Sequence, residues 1–148
     1  MTYLRRRKQQ ALTTNFVANT ANFTTTNTVA DITNTEMTFT PPAGNFQYVV
    51  YQYSIQYYMG PSSWNDMYYE LQEKIGSGNY SPMGDGYRIR EFNRYGSLEN
   101  IISGRFLVPI YSGTRSYKLT IRGNTYFSEF NRTYDNYKYS PIVQMYCI

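Results

Sequence analysis

An all-β fold built as an antiparallel sandwich is what this sequence predicts, on three observations. Apolar and polar residues alternate with a period of two in run after run. The runs are separated by clusters of Gly, Pro, Ser and Asn, and no stretch carries the 3.6-residue periodicity of a long helix. Finally, 18 tyrosines and 8 phenylalanines in 148 residues, with charged residues at only 16%, make a strand-forming mixture with a weakly charged, hydrogen-bonding exterior. A chain of this length suits one domain, which buries roughly 68–70% of its unfolded surface without a disulfide or metal.

Composition divides the chain into an N-terminal arm or strap, 1–35, and a sandwich, 36–148. Residues 1–11 are basic and glutamine-bearing, and with only Leu4, Ala11 and the adjoining Leu12 as aliphatic anchors they suit either a helix or an extended arm. The Thr- and Asn-rich stretch 13–35 spaces Phe16, Phe23, Val29 and Ile32 widely, which suits edge strands or a strap laid over another surface.

The sandwich begins at 36–40, where Met37 and Phe39 alternate with Thr38 and Thr40. Pro41, Pro42, Ala43 and Gly44 then turn the chain. The strongest strand signal is 47–58, with Val49, Tyr51, Tyr53, Ile55 and Tyr57 on one face. Gly60 to Ser63 break it, and 66–74 resumes with Met67, Tyr69 and Leu71 inward. Residues 76–86 read as a long irregular loop, of the sort that carries recognition on a rigid β scaffold. A shorter run follows at 87–92. At 105–111, Phe106, Val108 and Ile110 share a face, and Pro109 marks an edge or a bulge. Residues 115–122 alternate cleanly, and Gly123-Asn124 predicts a tight hairpin into 125–130. Val143, Met145 and Cys147 form the inward face of a last strand, 142–148. Roughly seven to nine strands without a long helix predict a sandwich of jelly-roll type.

The formal charge of +4 resides in the arm: Arg5, Arg6, Arg7 and Lys8 account for it, and the other ten basic residues balance the ten acidic ones. Four such charges on four phosphates give a salt slope of only about −3.6, which argues against nucleic acid as the main partner. No apolar run reaches membrane-span length and no apolar stretch follows the basic start, so the expectation is a protein made in the cytoplasm and not inserted in a membrane. Cys147 has no second cysteine in the chain to pair with and reads as a buried, inert thiol.

With no histidine in the chain, the usual general base, nucleophile activator and metal ligand are missing. Asp66, Glu70, Glu73, Asp85 and Glu91 are the carboxylates left to consider, and they read as solvated strand-face charges. Gly76, Gly78 and Gly84 lack the Lys-Ser/Thr ending of a phosphate loop. The expectation is a protein that is not an enzyme and takes no cofactor. A tyrosine count above what one core can absorb points instead to contacts.

Asp31-Ile32-Thr33-Asn34, then Phe39-Thr40-Pro41-Pro42-Ala43-Gly44, an aromatic strand, a Gly-rich loop, Arg105-Phe106-Leu107-Val108-Pro109 and Tyr117-Lys118-Leu119-Thr120-Ile121-Arg122 form a succession. It resembles that of small trimeric jelly-roll domains of tailed-phage virions, which occur in capsid decoration (cement) proteins and tail-fibre tips. The resemblance spans 29–148 and is one of pattern. It implies a homotrimer on the exterior of a capsid, with the arm gripping the major capsid protein through Leu4, Arg5, Arg6, Arg7, Lys8, Phe16 and Phe23. Tyr57, Tyr58, Trp64, Tyr68 and Tyr69 are then candidate subunit contacts. In the alternative, a tail-fibre or surface-exposed virion protein, the same five rings form a platform for host carbohydrate.

Overall fold

The computed structural model describes residues 13–16, 23–24, 30–32, 35–59, 63–84, 86–93, 98–123, 128–130, 133–134, 137–138 and 142–148. Among them are fourteen strands and no helix: β1 (Thr13–Phe16), β2 (Phe23–Thr24), β3 (Ala30–Asp31), β4 (Met37–Phe39), β5 (Tyr48–Met59), β6 (Ser63–Ile75), β7 (Ser81–Pro82), β8 (Tyr87–Asn93), β9 (Leu98–Pro109), β10 (Arg115–Gly123), β11 (Ser128–Phe130), β12 (Thr133–Tyr134), β13 (Tyr137–Lys138) and β14 (Ile142–Cys147).

All pairings are antiparallel. The first sheet runs β1-β14-β5-β9, with β11 continuing beside β5 past the end of β14 and β2 outside β11. The second runs β4-β10-β6-β8, with β3 extending the β4 edge along β10 and β7 extending the β8 edge along β6. Along the chain these eight principal strands change sheet at every step except β6 to β8. Two four-stranded sheets wound in this way form an eight-stranded jelly roll. Three of the short strands, β1, β2 and β3, come from 1–35, so the sandwich recruits edge strands from the stretch that also read as a strap.

Period-two alternation aims one face of each sheet at the other. Val49, Tyr51, Tyr53 and Ile55 of β5, Val143, Met145 and Cys147 of β14, and Ile102 and Val108 of β9 meet Met37, Phe39, Tyr69, Leu71, Tyr117, Leu119 and Ile121 in one buried cluster. Rings bridge the sheets: Tyr51 and Tyr117 lie 6.4 Å apart, Tyr53 and Tyr69 5.8 Å. The phenols in this core are satisfied, Tyr51 donating to the Thr35 carbonyl at 2.6 Å and Tyr53 and Tyr69 sharing a bond of 2.9 Å. Gly104 of β9 is needed here because a Cβ at that position would lie 2.7 Å from the Tyr53 hydroxyl.

Three local expectations are corrected. β10 and β11 do not form a hairpin: both edges of β10 are occupied, one by β6 and the other by β3 and β4, and β11 pairs with β5 and β2 in the opposite sheet. The stretch 76–86 is not wholly irregular, since β7 folds back on β6 and the Met83 amide donates to Leu71 O at 3.1 Å. Ile110 does not join Val108 in the core, because it lies past the end of β9 and is exposed.

Candidate functional site

The outer face of the first sheet is built from the other phase of the same strands. Register places its residues in rows across β9, β5 and β14: Leu107 beside Val50 beside Tyr146, then Arg105, Gln52 and Gln144, then Ser103, Ser54 and Ile142. One end is apolar. Leu107 is 52% exposed, Ile148 46% and Tyr48 39%, while Val50 between them is fully buried although it points away from the core. The middle is polar: Gln52, Ser54, Ser103, Arg105 and Gln144 line a depression of about 370 Å³, and the Tyr146 hydroxyl donates to Gln52 Oε1 at 2.9 Å. Beyond it Ile142 and Ile101 are exposed again.

The outer face of the second sheet is charged and paired. Lys118 Nζ reaches the Asp31 carboxylate at 2.8 Å and lies 4.2 Å above the Tyr80 ring, and Tyr80 donates to Glu36 at 2.6 Å. Toward the core, Glu73 accepts from Arg115 at 3.1 Å and from the Tyr117 hydroxyl at 2.8 Å. Farther along the strands, Tyr68, Glu70, Thr120 and Arg122 border a hollow of about 240 Å³.

Burial pushes the phenols of Tyr51, Tyr53 and Tyr117 well above the ordinary tyrosine value and raises those of Tyr69 and Tyr111, so burial keeps these groups neutral. Burial likewise raises the Cys147 thiol, which is free and buried. Glu70 and Glu73 are three residues apart on β6 and leave opposite faces, so they do not converge as a carboxylate pair. Among the described residues, no group of three His, Cys, Asp or Glu comes together, and no helix is long and apolar enough to cross a membrane.

The residues singled out from the sequence are dispersed. Leu4, Arg5, Arg6, Arg7 and Lys8 lie outside the described residues, as do Asp85 and the side chains of Asp66 and Glu91. Phe16 stands opposite Ile142 at the end of β1 and Phe23 opposite Phe130 in β2, so both backbones are held at sheet edges. Tyr57 and Tyr58 are in β5 and Trp64 in β6, with side chains outside the described set. Tyr68 and Tyr69 separate: Tyr68 faces outward, its ring 5.2 Å from the Arg122 guanidinium, while Tyr69 is in the core at 6% exposure. Tyr69 is therefore removed from the candidate contacts, because adjacent residues of a strand take opposite faces and its hydroxyl is bonded to Tyr53.

Attention to tyrosines missed the aliphatic residues that make the apolar end. Their signal is present in β9, where Ile101 and Leu107 are apolar in one phase while Ile102, Phe106 and Val108 are apolar in the other. A strand that is apolar in both phases is prepared for cover on both faces. Compared with known protein families the chain matches no family model, and no curated protein matches its sequence.

Proposed function

We propose that this chain is a virion structural protein, a capsid decoration (cement) protein that sits as a homotrimer on the shell of a tailed phage and grips the major capsid protein with its N-terminal arm. The observation that carries this reading is the apolar end of the first sheet's outer face, Tyr48, Leu107 and Ile148 around the buried Val50. Clustered exposed apolar side chains on a folded domain mark a surface that another protein covers. A second copy of the same chain is the natural cover, since soluble assemblies are mostly closed and symmetric. Jelly rolls recur in viral shells, and the phage-virion strand pattern adds the choice of assembly. The arm contributes the only unbalanced charge, Arg5, Arg6, Arg7 and Lys8, suited to an acidic patch on the shell.

Quantitative gel analysis of purified particles tests this reading. A decoration protein is present in numbers comparable to the shell subunits, and removing residues 1–12 abolishes loading while the free protein still assembles. A few copies per particle would place the chain at a tail fibre, and its absence from particles would overturn the virion assignment.

A further inference from the structure

The hollow on the outer face of the second sheet has features that assembly through the first sheet leaves unused. Register sets Glu70 of β6 directly opposite Thr120 of β10, and Tyr68 opposite Arg122, so four side chains surround one space. The Tyr68 wall is fixed. Its hydroxyl accepts a hydrogen bond from the Gly86 amide at 2.9 Å, and Gly86 can approach this closely only because it lacks a Cβ, which would lie 2.4 Å from Tyr69 O.

Among the described residues, two polar groups of the hollow have no partner. Thr120 is 2% exposed and its Oγ1 is buried without a hydrogen bond. Glu70 makes no hydrogen bond or ion pair among the described residues, whereas Asp31, Glu36 and Glu73 of the same sheet are all engaged. An orphaned buried hydroxyl calls for an explanation, and a role in holding a ligand supplies one.

We propose that this hollow is a saccharide-binding site that takes a single hexose-sized ring by its hydroxyl groups. The Glu70 carboxylate accepts from two neighbouring hydroxyls, Arg122 donates to sugar oxygens while stacked on Tyr68, and Thr120 both donates and accepts once its side chain turns to meet the ligand. One carboxylate and one guanidinium leave the hollow without net charge. That disfavours a phosphate, which Glu70 repels, and an ammonium, which Arg122 repels. A volume of about 240 Å³ is below the roughly 300–1,000 Å³ of sites that enclose larger ligands, so one ring enters and any further chain projects outward.

Saturation-transfer NMR on the full chain tests the site, with glucose, galactose, mannose and N-acetylglucosamine as probes and inorganic phosphate and putrescine as charged comparators. At least one hexose should receive transfer. Glu70→Gln and Thr120→Val should each weaken its binding about tenfold or more, while Thr120→Ser should retain it. Thr120→Val should also raise the melting temperature of the sugar-free protein, because it removes the unpartnered hydroxyl. Leu107→Glu, on the opposite face, should leave sugar binding intact, so the site stands or falls separately from the assembly. No transfer to any hexose, preference for either comparator, or binding undiminished in both Glu70→Gln and Thr120→Val would overturn the proposal.

Discussion

Thr35 holds more of this structure than its position in a Thr- and Asn-rich stretch suggests. It is fully buried, its hydroxyl donates to Ile32 O at 2.7 Å and accepts from the Leu119 amide at 3.1 Å, and its carbonyl accepts from Tyr51. One threonine thus ties the start of β4 to the central strand of each sheet. Thr35→Val keeps the shape but strands the Leu119 amide, so the urea midpoint should fall by an amount worth roughly 1–3 kcal/mol with the slope unchanged. An unchanged midpoint would mean that the two contacts are not formed. No sequence rule marks Thr35, because its partners are brought to it from distant parts of the chain. Of the apolar positions on either side of it, Met37 and Phe39 were legible from alternation and Ile32 only as a widely spaced anchor, and all three are buried.

The strands show where alternation suffices and where it fails. β5, β10 and β14 carry one clear apolar phase, and that phase is the core. The hairpin expected after β10 failed because Gly123-Asn124 is local turn chemistry, whereas the partners of β10 are fixed by competition among all the strands for its two edges. β7 escaped notice because two residues carry no period. Within β9 one phase is buried in the core and the other is exposed, so under the proposed assembly the two separate stability from association. Val108→Ala, on the core side at 2% exposure, should cost roughly 1–3 kcal/mol of unfolding free energy. Leu107→Ser, on the outer side, should change the unfolding of dilute protein by less than about 0.5 kcal/mol. Chemical denaturation of the two variants at low concentration makes the comparison. Equal losses would mean that both faces of β9 are covered within a single chain.

At the scale of the whole molecule, the tyrosines whose side chains are described divide between a core of neutral phenols and the outer faces. Tyr51, Tyr53, Tyr69, Tyr111 and Tyr117 all have folded pKa values raised by burial. A raised value means that the unfolded chain releases these protons first as pH climbs, so the stability they confer is complete below about pH 10 and is lost above it. Tyrosinate absorbance should therefore appear in two stages, first from exposed rings and then cooperatively with loss of the sheet signal in circular dichroism. Ionisation of every tyrosine near its ordinary value with the fold intact would contradict the buried assignments. On the outer faces the sequence was only partly legible: excess aromatic content predicts contacts, yet Tyr69 lies in the core, whereas Leu107, Ile101 and Ile148 at the first sheet's surface are exposed, and association through that surface is our proposal. Sedimentation velocity of the purified chain across a wide concentration range tests this most directly. The expected result is a species of three times the 17.4 kDa chain mass that Leu107→Glu reduces to a folded monomer; a wild-type chain that stays monomeric at the highest attainable concentration would contradict it.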